Sequence, residues 1–163
     1  MKKFIIFSSF FLFFIDQITK YIVVKNLEIY ESIKIIPNFF NITYITNSGA
    51  AFGMFQNKGI LFILLSICAI FLIIKYILEE KKLNKYDVIC YSLLVGGILG
   101  NMFDRIYYKN VIDFIDFIIF GYNFYIFNFA DVFILFGVSM MLYKLYKGDK
   151  NGKISSRTKQ HKN

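Results

Sequence analysis

The stretch ILFILLSICAIFLIIKYIL, residues Ile60 to Leu78, carries one charge, Lys75, close to its end. A helix crosses a bilayer with about 20 mostly apolar residues, so this run reads as a membrane span. Three more runs on either side answer to the same reading. Phe4 to Val24 is interrupted by Asp16 and Lys20. Val88 to Asp104 is short and carries Gly96, Gly97 and Gly100. Phe124 to Tyr143 contains one charge, Asp131. The composition agrees, with 57% hydrophobic residues in a chain of 163 against about 45–50% in soluble domains. A soluble fold of this size could not hide so much apolar surface. The expected fold class is a membrane all-α four-helix bundle with a small extracytoplasmic β-sheet, in one polytopic domain over residues 1–163. Met1-Lys-Lys followed by an apolar run imitates a secretory signal, but no small-residue cleavage site follows, so it reads as a retained first span.

The net charge of +8 looks like a nucleic-acid signal until it is divided by membrane side. Four spans put both termini and the loop around Glu79–Asp87 on one face. That face holds thirteen bases against four acids, and the other six against seven. The positive-inside rule makes the basic face cytoplasmic. The tail, residues 144–163, then faces anionic lipid, and no nucleic-acid partner is expected. Of the two outer connections, residues 26–57 alternate over Asn41-Ile-Thr-Tyr-Ile-Thr46, after a turn at Pro37-Asn38. They read as a small sheet on the outer surface. The second contains Val111-Ile-Asp-Phe-Ile-Asp-Phe117, too apolar for a free loop, and is expected to lie in the interface.

Two cysteines and a single histidine, His161 in the polar tail, exclude disulfide scaffolds and cysteine zinc sites. They also argue against Ser–His and HExxH chemistry. Cys68 and Cys90, in apolar segments, read as inert. Chemistry is left to acids inside spans, where an ionisable group is costly unless paired. Asp16, Asp104 and Asp131 all fall in the outer half. Asn101-Met-Phe-Asp104 and Asn128-Phe-Ala-Asp131 repeat one pattern, and an i, i+3 spacing puts each amide and acid on one helical face. Two such acids brought together would share one proton, one activating water and the other polarising a carbonyl. Opposite helix ends would place that proton on Asp104 and leave Asp131 as the base. The plainer reading makes Asn128 an N-cap with Asp131 in the first turn, and Asp104–Arg105 an interfacial ion pair. Gly96 and Gly100 form a GxxxG packing motif. A Ser48–lysine dyad has no fixed spacing behind it, and three scattered acids specify a divalent metal poorly. A proton-coupled transporter would need polar groups through the full membrane thickness, whereas the inner halves here are apolar. A purely structural assembly factor would not need membrane carboxylates.

Five segments together resemble the lipoprotein signal peptidase (type II signal peptidase) family of bacteria. They are Asp16-Gln-Ile-Thr-Lys20, Asn47-Ser-Gly-Ala-Ala-Phe-Gly53, Gly96-Gly-Ile-Leu-Gly-Asn-Met-Phe-Asp-Arg105, Val111-Ile-Asp-Phe-Ile115 and Phe127-Asn-Phe-Ala-Asp131. They stand in the family's order over nearly all the chain except the basic tail. The resemblance implies an aspartyl endopeptidase that removes signal peptides from diacylglyceryl-modified prolipoproteins, cutting before the lipidated cysteine. Carried over by motif, Asp104 and Asp131 are the catalytic pair, and Asn101, Asn128 and Ala130 shape the site. Asp16 and Lys20 support it or bind substrate, Asn47 and Gly53 belong to the sheet that cradles substrate, and Arg105 and Asp113 flank the pair. The expected setting is the bacterial cytoplasmic membrane, with a monomer touching substrate and lipid, both termini cytoplasmic by the charge asymmetry and the site near the outer face. No metal or cofactor is expected.

Overall fold

A computed structural model describes residues 1–49, 55–80 and 82–160. Four helices long and apolar enough to span a membrane are joined by a small antiparallel sheet. They are α1 (Lys2–Asn26), α2 (Gly59–Glu79), α3 (Lys85–Tyr107) and α4 (Phe129–Gln160). The strands are β1 (Ser32–Ile36), β2 (Phe40–Asn47), β3 (Val111–Ile119) and β4 (Tyr122–Asn123), in the order β1-β2-β3-β4.

The helix α3 is the hub, packed against α1, α2 and α4. Its small residues set how close the neighbours come. A Cβ at Gly96 would lie 2.8 Å from Leu12 Cβ, and one at Gly97 2.5 Å from the Ala130 carbonyl oxygen. Both are shorter than any tolerable contact, so α1 and α4 meet α3 nearly backbone to backbone, as small-residue stripes permit in lipid. In α2, by contrast, Ile77 is the one buried residue. Its remaining apolar surface needs hydrocarbon around it. At the other end of α3, Asn84 and Asp87 form a reciprocal capping box, with Asp87 N–H donating to Asn84 Oδ1 and Asn84 N–H to Asp87 Oδ2, both at 3.0 Å.

Two apolar clusters bracket the middle of the molecule. Ile5, Ile77, Cys90, Tyr91 and Leu94 form one. Val23, Leu27, Tyr44, Ile112, Phe114 and Ile115 form the other, where the end of α1 packs beneath the sheet. Along α1 the buried polar residues Asp16 and Lys20 fall between Ile5 and Val23. A polar layer is therefore sandwiched between two dry ones.

The sheet differs from expectation in one respect that matters below. Val111–Phe117, expected to lie in the interface, is part of strand β3. It pairs antiparallel with β2 in the register Phe40↔Phe117, Ile42↔Ile115, Ile45↔Asp113 and Asn47↔Val111. The two outer connections thus fold as one sheet. Phe124–Asn128, expected inside the fourth span, is instead held on β3. Phe124 N–H donates to Phe117 O (2.8 Å), and Phe127 N–H to Ile115 O (3.1 Å). Ladder bonds and aromatic stacking outweigh helix formation there, so α4 begins at Phe129. Asp131 therefore sits in its first turn rather than 8–10 Å down the helix, the depth that a start at Phe124 implies at about 1.5 Å per residue. Past Tyr143 the helix continues through the basic segment to Gln160, where no proline interrupts it.

Candidate active site

The start of α4 is buried, so its orphan N–H groups need partners. Two side chains supply them. Asn128 Oδ1 accepts from Asp131 N–H at 2.9 Å, while Asn128 N–H donates to Asp131 Oδ2 at 3.3 Å. This is a reciprocal cap. From another helix, Asp16 Oδ1 accepts from Ala130 N–H at 2.9 Å. The plain N-cap reading of Asn128 and Asp131 therefore describes the local geometry, and it leaves Asp131 Oδ1 free to accept from Asn101 Nδ2 at 2.7 Å.

Asp104 lies near the C-terminus of α3, where the helix dipole disfavours a carboxylate. The compensation comes from α1. Lys20 Nζ sits 2.7 Å from Asp104 Oδ2 and 2.8 Å from Asp16 Oδ2, with all three residues at most 1% exposed. Gln17 Nε2 donates to Asp104 Oδ1 (2.9 Å) and Ile112 N–H donates to Asp104 Oδ2 (3.1 Å). Every donor around Asp104 treats it as an acceptor. A Cβ at Gly100 would stand 2.5 Å from Asp16 Oδ2 and 3.1 Å from Ala130 Cβ. Only glycine leaves room for this ion cluster between α1 and α3.

The expected direct pairing of Asp104 with Asp131 is not the arrangement the side chains take. A relay separates them. Lys20 Nζ, bound to Asp104, donates to Asn101 Oδ1 at 3.2 Å, and Asn101 Nδ2 then donates to Asp131. The physical reason is the lysine: its ammonium makes contact with Asp104, which outweighs the few tenths to about 2 kcal/mol a helix end can exert. The carboxyl more directly linked to Asp131 is Asp113. Asn128 joins the two, donating from Nδ2 to Asp113 Oδ1 at 2.6 Å while its backbone N–H binds Asp131. Asn128 Nδ2 also reaches Asn101 Oδ1 (3.1 Å) and the Ile112 carbonyl (3.2 Å). Asn47 Nδ2 donates to Asp113 Oδ2 at 3.1 Å. Asp113 is 1% exposed, and its hydrogen-bond partners among the described residues are neutral amides. Burial, and then the Asp131 charge, push its carboxyl up to about 7, against the pull of the Asn47 and Asn128 hydrogen bonds.

Of the remaining expected residues, Arg105 acts as a strap. Its Nη1 donates to the Asn101 carbonyl (3.1 Å) and its Nη2 to the Gly49 carbonyl (3.0 Å), while the guanidinium lies 4.8 Å from the Phe62 ring centroid. It therefore ties the turn after β2 to α3 and α2. Ala130 is fully buried at the crossing of α3 and α4. Gly53 lies outside the described residues. Two participants escaped sequence reasoning. Gln17 bridges Asp16 and Asp104, and Tyr125 places its hydroxyl 3.3 Å from Asp131 Oδ2. Gln17 follows Asp16 directly, a spacing that on a helix points about 100° away. Tyr125 stands among aromatics with nothing local to mark it. A cleft of about 550 Å³ opens beside the cluster, lined in part by Tyr30, Ile45, Asn47, Asn123 and Tyr125. Asn47 and Tyr125, which touch Asp113 and Asp131, form part of its wall.

Comparison with known proteins bears on this site. The family model described as "Signal peptidase (SPase) II" matches residues 8–147. Lipoprotein signal peptidases of Staphylococcus aureus strains JH9 and Newman are 38% identical over 143 residues, 88% of this chain and 88% of theirs. Two solved structures share the fold at 37% sequence identity. One, "Bacterial membrane enzyme structure by the in meso method at 2.3 A resolution", has a TM-score of 0.83 and covers 90% of both chains. The other, with the same description at 1.9 Å, has a TM-score of 0.78 over 86% of this chain and 91% of that one.

Proposed function

The chain belongs to the signal peptidase II family, a membrane-spanning protease family of lipoprotein processing, and from that premise we propose an aspartyl mechanism centred on Asp113 and Asp131. The substrate is a diacylglyceryl-modified prolipoprotein, cut just before its lipidated cysteine. The observation that carries the choice of acids is the Asn128 bridge, which links a carboxyl poised near neutrality to the partly exposed Asp131. Two linked acids of that kind hold one proton between them, and their titration belongs to the pair.

In the proposed reaction Asp131, ionised, takes a proton from water as the water oxygen attacks the scissile carbonyl carbon. Asp113 gives its proton to the carbonyl oxygen, forming a neutral gem-diol. Collapse returns that hydroxyl proton to Asp113, the proton held by Asp131 goes to the leaving nitrogen, and the C–N bond breaks. Water is consumed, and the pair ends in its starting state. Asp104 has a different task. Sealed against Lys20 and Asp16, it fixes the ends of α1 and α3 and, through Lys20 and Asn101, the carboxylate of Asp131.

The alternative of a proton-coupled carrier draws little support, because Asp16, Lys20, Asp104 and Asp131 form one linked cluster and the buried Asp87 is occupied in capping the far end of α3. The charge asymmetry supports a reading with both termini on the cytoplasmic side and the site towards the outer face. There the scissile bond of a substrate anchored by two acyl chains would lie. The deciding experiment incubates the purified protein with a lipidated precursor. The shortened product is expected from wild type and from neither Asp113→Asn nor Asp131→Asn. Full cleavage by folded Asp113→Asn would return the role to Asp104.

A further inference from the structure

Among the described residues, Asp131 receives three hydrogen bonds. Two come from the helical frame, Asn101 Nδ2 on Oδ1 and Asn128 N–H on Oδ2. The third comes from Tyr125, on the short connection between β4 and α4. That connection is held on β3 at both sides of Tyr125, by the Phe124 and Phe127 backbone bonds. In extended backbone, residues two apart share a face. The Tyr125 ring accordingly stacks on Phe127, with centroids 6.1 Å apart and planes 24° from parallel, and meets Phe124 edge-on at 6.3 Å. The phenol oxygen is therefore placed by the fold. Burial, followed by the charges of Asp131 and Asp113, pushes the phenol above its ordinary range, so it keeps its proton and is a standing donor.

The contact of 3.3 Å is long for an O–H···O bond. Such bonds at catalytic groups are commonly long before substrate arrives and tighten afterwards. Tyr125 also lines the cleft, where a bound peptide would exclude water from this bond and strengthen it.

We propose that Tyr125 is a positioning residue, whose hydroxyl holds the Asp131 carboxylate in its water-activating orientation and leaves the shared proton on Asp113. This rests on the reading of Asp113 and Asp131 as the reactive pair. A tyrosine serving only as packing would be replaceable by phenylalanine, which keeps both ring contacts and deletes the donor.

The test is Tyr125→Phe in the full chain, assayed on a lipidated precursor across pH. The other charged groups acting on the pair are unchanged in this variant: Arg105 of α3, itself held by the charge of Asp104, and Lys20 of α1. Loss of one donor to the base predicts kcat lower by about 10-fold, KM within about 2-fold, and the acidic limb of the profile moved up by about half a pH unit. The thermal midpoint should not move. A profile of unchanged shape overturns the inference, whether kcat is unchanged or has fallen together with stability. Asp131→Asn in the same assay separates the two levels. If it retains cleavage, the reactive-pair reading fails and the inference with it. If it is inactive while Tyr125→Phe matches wild type, only the role of Tyr125 falls.

Discussion

Two carboxylate clusters lie a few residues apart, and they are built on opposite principles. Asp16 and Asp104 share a buried lysine, and each accepts a further hydrogen bond from a backbone N–H. Asp113 and Asp131 are held by amides, a phenol and a backbone N–H, with no cation in ion-pair contact among the described residues. Charge neutralised in contact makes a rigid joint, because breaking a buried pair exposes an uncompensated ion. Charge held only by dipoles stays responsive, and its protons can move. The first cluster joins helices and the second is suited to chemistry.

The contrast can be broken by experiment, most sharply with Asp131→Asn and Asp113→Asn. Each should lower cleavage by about 10³-fold or more while unfolding in detergent stays near wild type. Asp104→Asn with its Lys20 partner intact should instead reveal itself in stability first. Comparable stability loss in all three variants, measured by thermal unfolding, would erase the distinction.

Removal of the cation comes next in size. Lys20→Met leaves the fully buried Asp16 and Asp104 without their shared cation and should destabilise the fold by about 3–5 kcal/mol. Lys20→Met combined with Asp104→Leu should recover part of that loss. A single variant as stable as wild type would mean that the cluster is not a joint.

Gly100→Ala is a smaller intrusion. Its Cβ would press on Asp16 Oδ2 and Ala130, and overpacking of this kind costs about 1–3 kcal/mol. Unfolding midpoints compared with those of an alanine substitution on the lipid-facing side of α2 would isolate the effect.

A separate expectation is a pH slope. Asp113 binds its proton more tightly in the folded chain, near 7, than at its ordinary value of 3.8. Its contribution to stability is therefore whole below pH 3.8 and is lost as pH rises through 7. Stability measured across that window should decline less in Asp113→Asn than in wild type. In the enzyme, kcat/KM should fall on the alkaline side near pH 7 as Asp113 gives up its proton. An unchanged stability slope in the variant would contradict the environment described for this acid.

What was legible in the chain follows from the range of each physical rule. Spans depend on composition over about 20 residues, so four helices could be read directly, as could the placement of Asp16, Asp104 and Asp131 in them. Helical periodicity likewise exposed the two Asn-x-x-Asp faces, while the family resemblance rested on five short motifs in order along the chain. Periodicity is a property of one element, however, and the partner of Asp131 is decided between elements. Asp113 reaches Asn128 because β3 pairs with β2 in the register Ile45↔Asp113 and carries the start of α4 on its other side. Lys20 goes to Asp104 because Gly96 and Gly100 let α1 close on α3. The sequence alone determined a four-span bundle and the acids it carries, since hydrophobic length and local spacing suffice for both. Which acid faces a lysine and which is joined through an asparagine to another acid was left to the tertiary structure. Helix approach and strand register are long-range, and a shift of one residue in the β2–β3 register would turn Asp113 to the other face of the sheet, away from Asn128.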